Sequence, residues 1–248
     1  MPVPLLCRTW LSPGLPIELF ETVVAALEPA GFAPELTSDS TTSGPAPGAH
    51  DPFATGEVQL GFICAPSYRA LAAADPPSVT LAGAAPVFSD ARNGGRPVYF
   101  AELVVATGSD VIGLGDLAGG RFGYNDLASQ SGYRAMLDRL TDLGLDEHHF
   151  AELIRTGGHR RSLDALVDGT IDAASIDSNT LLGLGGAPAG TRVVETWGPY
   201  PVQPVVVGTS LDAGSVARIR AALLDLAPGA LAPFGVTRFA PVTAADYT

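Results

Sequence analysis

Apolar runs typical of strands alternate with amphipathic, helix-like segments along this chain of 248 residues, and this alternation constrains the fold more than any other feature. Short apolar runs bounded by turn residues predict strands, whereas apolar residues three and four positions apart predict helices. Such alternation is typical of the α/β class, in which helices cover a largely parallel sheet. Strands are predicted over residues 4–10, 32–36, 58–64, 79–88, 121–124, 152–156 and 171–176, and helices near 16–31, 66–73, 130–142, 160–168 and 212–226.

Long extended segments at residues 98–106 and 202–209 interrupt this alternation and divide it into two series. The pattern predicts two lobes joined by two hinge crossovers, with residues 1–100 plus 205–248 as lobe 1 and residues 101–204 as lobe 2. The C-terminal helix then returns to pack on the first lobe. A single doubly wound sheet is the alternative, and in open α/β sheets ligands bind beyond the carboxyl ends of the strands.

The net charge of −12 and the lack of any lysine restrict the partners that the chain can have. All 14 basic residues are arginines, and they form no basic run. Nucleic acids and anionic membrane surfaces attract clusters of Lys and Arg, so neither is an expected partner. An anionic ligand must instead be captured locally, by backbone amides or by a single Arg or His side chain.

The cysteines, Cys7 and Cys64, each lie in an apolar run that reads as a strand. They are expected to be buried thiols, with a disulfide as the alternative if the two strands are neighbours. No Cys-x-x-Cys motif or Cys/His cluster is present, so neither a metal nor another cofactor is expected.

Neither a membrane-spanning run nor a leader peptide is visible in the sequence. No apolar run approaches the roughly 18 residues that a transmembrane helix requires, so no membrane insertion is expected. The first residues carry no basic segment followed by a long apolar one. The chain is expected to be cytoplasmic if Met1 is the native start, and periplasmic or extracytoplasmic if a leader was removed.

The segment Ser129-Gln130-Ser131-Gly132-Tyr133 stands where a predicted strand gives way to a helix. The first N–H groups of a helix lack intrahelical partners, and the helix dipole favours an anion beside them. Hydroxyl groups at this position add donors, so the segment predicts a site for a phosphonate, phosphate, sulfonate or carboxylate. Plain capping of the helix by Ser129 or Ser131 is the alternative.

His159 follows two glycines after the next predicted strand, in the sequence Gly157-Gly158-His159. Glycines let the chain turn tightly beside a ligand, and the imidazole is able to donate a hydrogen bond to an anion. The alternative is that His159 is part of the first turn of the following helix. Arg160 and Arg161 are expected to be solvated.

Aromatic residues stand at other predicted strand ends: Trp10, Tyr68, Tyr99 and Trp197. Aromatic walls combined with a few convergent polar groups are typical of clefts that bind small ligands. Ordinary packing in the core is the alternative for each of these residues.

Catalytic motifs are absent from the sequence. It contains no Gly-x-Ser-x-Gly elbow, no His-Glu-x-x-His and no phosphate-binding loop. His148 and His149 are adjacent, and adjacent side chains of a helix point in different directions, so they predict a polar face and not a metal site. The sequence therefore favours binding over catalysis without settling the question.

Several sequence blocks together resemble a known family: Gly56–Cys64, Pro97–Phe100, Asp116–Phe122, Ser129–Tyr133, Gly158-His159 and Ile171–Ser178. The chain is similar to the phosphate/phosphite/phosphonate-binding proteins of ABC transporters, the PhnD-like family. The resemblance implies a type 2 periplasmic-binding-protein (venus-flytrap) fold, with the ligand held between two lobes that close about a hinge.

The resemblance also implies roles for individual residues. Ser129, Gln130 and Ser131 would hold the phosphonate oxygens, and Tyr99 and His159 would complete the anion site. Family members that bind amino-phosphonates place acidic residues near the amine, and those positions correspond here to two neutral amides, Asn179 and Gln203. An ammonium group is then not expected on the ligand, although Asp177 lies close enough in sequence to substitute. The indole of Trp10 offers a stacking face for a larger or partly apolar ligand.

The sequence leaves more than one function open. The first hypothesis is a solute-binding protein that captures a small anion for ABC-type transport and delivers it to a permease. The alternative is an intracellular enzyme on the same fold, with His159 and Asp177 facing each other across the cleft as acid and base. A sensor module that acts through a partner protein is a third hypothesis.

Overall fold

The computed structural model describes residues 1–46 and 48–248, and these residues fold into two compact units. The strands are β1 Val3–Thr9, β2 Phe32–Ser38, β3 Leu60–Phe62, β4 Val79–Leu81, β5 Ala84–Phe88, β6 Val98–Ala106, β7 Arg121–Tyr124, β8 Glu152–Arg155, β9 Ala173–Asp177, β10 Thr191–Pro201, β11 Val205–Gly208 and β12 Val236–Pro241. The helices are α1 Ile17–Ala25, α2 Ala65–Ala72, α3 Ala135–Asp142, α4 His159–Val167, α5 Ser178–Gly183, α6 Ala213–Leu224 and α7 Pro228–Leu231. None of the described helices is long and apolar enough to cross a bilayer.

The first unit comprises Met1–Val98 and Pro201–Thr248, and its main sheet has the order β2-β1-β3-β11-β4. β1 pairs in parallel with β2, from Val3 beside Phe32 onward, and with β3 on its other side. β11 is antiparallel to both β3 and β4. The predicted C-terminal helix is α6, and it belongs to this unit.

The apolar run over residues 79–88, predicted as one central strand, forms two strands in two different sheets. β4 pairs with β11 in the main sheet, whereas β5 pairs with β12 in a separate antiparallel sheet. Gly83 separates the two strands with a φ of +79°, a conformation that a residue with a side chain rarely adopts. The prediction of a single strand was therefore wrong, because continuous hydrophobicity does not reveal a change of direction.

The second unit, Tyr99–Tyr200, contains a sheet of order β10-β6-β9-β7-β8. β7 is parallel to both β8 and β9, and β6 is antiparallel to β9. α3 packs on one face of the sheet through Met136 and Leu140, and α4 packs on the other face through Leu163. Because both faces are covered, the central strand β9 is buried on both sides.

Cys7 and Cys64 are both buried and are not joined by a disulfide, so the alternative of a disulfide is not realised. Cys7 lies in β1, and Cys64 is the N-cap of α2, two residues after β3, the neighbour of β1 in the sheet. Burial raises the pKa of the Cys7 thiol to about 12. The thiol of Cys7 is therefore protonated and unreactive at physiological pH.

Candidate functional site

Helices begin at one edge of the sheet in the second unit, immediately beyond the carboxyl ends of its parallel strands. A π-helical turn leading into α3 follows β7, α4 follows β8, and α5 follows β9. The register places Gly123 of β7 beside Ala174 of β9 and beside Ile154 of β8. Neighbouring strands lie about 4.8 Å apart, so the helix starts that follow them are brought close together. This edge is the candidate site, and the general rule for open α/β sheets favours it.

The helix after β7 opens with a π-helical turn over Gln130–Arg134 and continues as α3. The N–H of Arg134 donates to the carbonyl of Ser129 over 3.1 Å, five residues back. Ser129 is the N-cap, and its Oγ accepts a hydrogen bond from the N–H of Gly132 at 3.0 Å. The predicted helix over residues 130–142 is confirmed, and Ser129 does cap it. A capping hydroxyl accepts a hydrogen bond and still has its own proton to donate.

Gly132 occupies a position that leaves no room for a side chain. A Cβ at this position would lie 2.8 Å from Cγ of Asn125 and 2.9 Å from Oγ of Ser129. Asn125 follows β7 directly, and its Nδ2 lies 3.4 Å from Oγ of Ser129. The glycine therefore lets the loop after β7 pack against the first turn of the helix.

His159 is the first residue of α4, and it contacts the helix start that follows β7. Its Nε2 lies 3.1 Å from Oγ of Ser131, and its side chain is buried. Burial lowers the pKa of His159 to about 3. His159 is therefore neutral at physiological pH and acts as a hydrogen-bonding group. Arg160 and Arg161 are exposed, as predicted.

The start of α5 carries Asp177 and Asn179 to the same edge of the sheet. Asp177 is the N-cap of α5, and its Oδ1 accepts the N–H of Asn179 at 2.7 Å. The side chain of Asn179 is 1% exposed, and neither its Oδ1 nor its Nδ2 hydrogen-bonds to a residue that the structure describes. Oδ1 of Asn125 and Oγ of Ser175 are likewise buried without a partner among the described residues.

Asn125 and Ser175 were not predicted as site residues. The available signal was their position, because each lies at or just beyond the carboxyl end of a predicted strand. Their burial, which distinguishes them from ordinary loop residues, depends on how β7 and β9 pair. Sequence alone does not specify that pairing.

Tyr99 lies on β6 in the second unit and is 1% exposed. Its ring lies 6.2 Å from the ring of Tyr200, measured between centroids. Ordinary packing in the core, the alternative given above for Tyr99, is therefore seen for at least part of its side chain. Its predicted contact with an anion stays a prediction.

Trp10, Tyr68 and Gln203 belong to the first unit, where all three are buried. Trp10 follows β1 and its ring lies 5.9 Å from that of Phe53, while Tyr68 packs on Tyr247 at 5.5 Å. Gln203 precedes β11 and lines a small cavity with mostly apolar walls. The register brings the end of β1 and the start of β11 to one edge of that unit's sheet. The predicted ligand contacts of these three residues stay predictions.

The residues of the predicted catalytic pair, His159 and Asp177, both belong to the second unit. That they face each other across the cleft as acid and base stays a prediction. His159 is hydrogen-bonded to Ser131, and Asp177 caps α5. Among the residues that the structure describes, no group of three or more His, Cys, Asp or Glu is placed to hold a metal ion.

Comparison with known proteins identifies the family. Residues 44–247 match the family of periplasmic substrate-binding proteins of phosphonate ABC transporters. The chain belongs to this family. The resemblance seen in the sequence is thereby confirmed, and membership supports a solute-binding role and not the enzyme alternative. No curated protein matches the sequence.

Solved structures share the fold at low sequence identity. The binding component of a phosphonate ABC transporter from Pseudomonas aeruginosa is 15% identical with a TM-score of 0.79, over 100% of this chain and 84% of that one. PhnD1 of Prochlorococcus marinus, in complex with methylphosphonate, is 15% identical with a TM-score of 0.76, over 100% and 96%. The aliphatic sulphonate-binding protein SsuA of Escherichia coli is 14% identical with a TM-score of 0.60, over 99% and 83%. The predicted α/β, two-lobed type 2 periplasmic-binding fold is confirmed.

Proposed function

We propose that this solute-binding protein captures a small anion of the phosphonate or phosphate type at the helix start Ser129–Gly132. The observation that carries the proposal is the contact between Ser131 and His159, which joins two helix starts at the carboxyl edge of one sheet. Partial positive charge at a helix N-terminus attracts an anion without any full cation. Such a site suits a chain that has no lysine and whose site histidine is neutral.

In this proposal each residue of the helix start has its own role in ligand binding. The hydroxyls of Ser129 and Ser131 donate to ligand oxygens, together with Gln130 and the first backbone N–H groups of the helix. Gly132 lets the backbone approach Asn125 closely, and His159 orients the Ser131 hydroxyl. Tyr99 is a further proposed donor. Hydrogen bonds to an ionised acceptor are shorter and stronger than those between neutral groups, so a few suffice.

Family membership supports a proposal for the cellular role. We propose that the protein works on the periplasmic or extracytoplasmic side of a membrane and delivers its ligand to the permease of an ABC transporter. The family match supports both statements. No cofactor is part of this role.

Ligand screening tests the proposal. Thermal unfolding is measured with alkylphosphonates, phosphite, phosphate, alkylsulfonates and small carboxylates. A ligand that binds the folded state at 100 times its Kd adds about 2.7 kcal/mol to the free energy of unfolding, so a true ligand raises Tm by several degrees. The Ser131→Ala variant should lose most of this shift, whereas Ser109→Ala, on a loop that is not part of the proposed site, should keep it. An absence of any shift with all of these anions would contradict the assignment.

A further inference from the structure

The amide of Asn179 is an unusual feature of the second unit. Its side chain is 1% exposed, yet neither Oδ1 nor Nδ2 hydrogen-bonds to a described residue. Its backbone N–H is already used by the carboxylate of Asp177.

A buried amide with two unused hydrogen-bonding groups has no stabilising role by itself. Buried polar groups in proteins are nearly always paired, and an unpaired one opposes folding. An apolar side chain of the same shape would serve packing better at this position. The amide of Asn179 is therefore best explained by a hydrogen-bonding partner that is not part of the protein.

The position of Asn179 places that partner beside the proposed anion site. β9 lies between β6 and β7 in the sheet, and it runs parallel to β7. The hydroxyl of Ser178 accepts the N–H of Phe100 at 3.0 Å, which holds the start of α5 against β6. The helix start at Ser129 follows β7, with His159 after β8 on one side and Asn179 after β9 on the other.

The chemistry of an amide restricts what it is able to recognise. Oδ1 needs a donor and Nδ2 needs an acceptor, and a hydroxyl is a single group that provides both. An ammonium group donates but does not accept, and a fully ionised sulfonate accepts but does not donate. We propose that Asn179 is a specificity-determining residue that recognises a hydroxyl of the ligand. The inference rests on the proposed function, because it takes the anion to be bound at Ser129–Gly132.

The hydroxyl has two possible sources, and both present the same chemistry. One is the acid hydroxyl of a phosphonate that carries one proton, which pairs with an amide through two hydrogen bonds. The other is a hydroxyl on the carbon next to the acid group. The affinities of four ligands distinguish the two sources of the hydroxyl: methylphosphonate, hydroxymethylphosphonate, methanesulfonate and hydroxymethanesulfonate. Calorimetric titration is done at about pH 6, where phosphonates retain one proton.

The expected result is a ratio of affinities that depends on Asn179. If the acid hydroxyl is recognised, the wild-type protein should bind each phosphonate about tenfold or more tightly than the matching sulfonate. If the carbon hydroxyl is recognised, it should bind each hydroxymethyl compound about tenfold or more tightly than its methyl counterpart. Asn179→Leu, which keeps the number of side-chain heavy atoms, should bring that ratio close to one. A loss of the preference for phosphonate over sulfonate identifies the acid hydroxyl as the recognised group. A loss of the preference for hydroxymethyl over methyl compounds identifies the hydroxyl on the neighbouring carbon. Ratios that stay unchanged in Asn179→Leu would overturn the inference.

Thermal unfolding without ligand provides a second readout. Asn179→Leu should unfold at a higher temperature than the wild type, because it removes the unpaired amide, whereas a structural asparagine would be needed for stability. Asn179→Ser tests the same affinity ratios if the leucine variant does not fold. Asn93→Ala, a buried asparagine of the first unit, is the control and should leave the ratios unchanged. If neither these four ligands nor the other anions of the thermal screen bind the wild type, the proposed function itself fails; binding that does not depend on Asn179 contradicts this inference alone.

Discussion

Oγ of Ser131 and Nε2 of His159 lie 3.1 Å apart, and this hydrogen bond joins the helix start after β7 to the helix start after β8. The two residues are separated by 28 positions in the chain and meet because β7 and β8 pair in parallel. Since His159 is neutral, the pair presents oriented dipoles and no full charge to a ligand. Affinity at this site therefore depends on hydrogen-bond geometry.

Removing the imidazole should weaken ligand binding without unfolding the protein. His159→Ala leaves the Ser131 hydroxyl unoriented, and we expect the affinity for the best phosphonate to fall about ten- to a hundredfold, as for loss of a buried hydrogen bond. Calorimetric titration measures the change. His148→Ala, an exposed histidine of the same unit, is the matched control and should bind like the wild type. Equal losses in both variants would contradict the assigned role.

Acid should destabilise the protein through His159 in a defined pH range. The native pKa is lowered to about 3, whereas an unfolded histidine titrates near 6.5. Between these values the unfolded chain binds a proton that the native protein does not, so stability falls as the pH falls from 6.5. The slope from this residue approaches about 1.4 kcal/mol per pH unit below pH 6.5, and it fades as the pH rises above 7.

Urea unfolding of the wild type and of His159→Gln at pH 7 and pH 5 measures this effect. The wild type should lose about 2 kcal/mol more than the variant between these pH values. Asp90 and Asp172, whose pKa values are lowered by hydrogen bonds from Arg92 and Arg121, lose their contributions only at more acidic pH. The same loss in both proteins would show that His159 is not the group responsible.

A methyl group at position 132 should disturb both stability and binding. In Gly132→Ala the new Cβ meets Asn125 and Ser129 at under 3 Å, so the loop or the helix start must shift. Overpacking of this kind costs about 1–3 kcal/mol. Gly229→Ala, in α7, is the control, because no described atom lies within 4 Å of its added Cβ. In chemical unfolding the control should be as stable as the wild type or slightly more stable, and it should retain full ligand affinity. Gly132→Ala should lose both stability and ligand affinity.

Thiol reagents should not react with the folded protein at neutral pH. Cys7 and Cys64 are buried, and burial raises the pKa of Cys7 to about 12, so little thiolate is available for reaction. Labelling with a chromogenic disulfide should proceed only after addition of denaturant, when both thiols react. Rapid labelling of the native protein would show that the segment around one of these cysteines opens easily. Bound ligand should slow thiol labelling of the wild-type protein still further, because it stabilises the folded state.

Local sequence patterns predicted much of the fold, and their failures have physical causes. The extended run over residues 98–106 is β6, because its apolar residues fill both faces of a covered sheet. The run over residues 79–88 divides at Gly83, because apolar character does not encode which sheet a strand joins. In the candidate site, Ser129–Gly132 and His159 were predicted from their positions at helix starts, whereas Asn125 and Ser175 were missed.

The sequence by itself determined the alternation of strands and helices, the helix start at Ser129, the absence of lysine and the family. Only the tertiary structure decided which helix starts meet, because parallel pairing of β7 with β8 and β9 joins segments that are remote along the chain. That pairing places His159 against Ser131 and buries the amide of Asn179. Burial also lowers the pKa of His159, since removal from water disfavours the charged imidazolium.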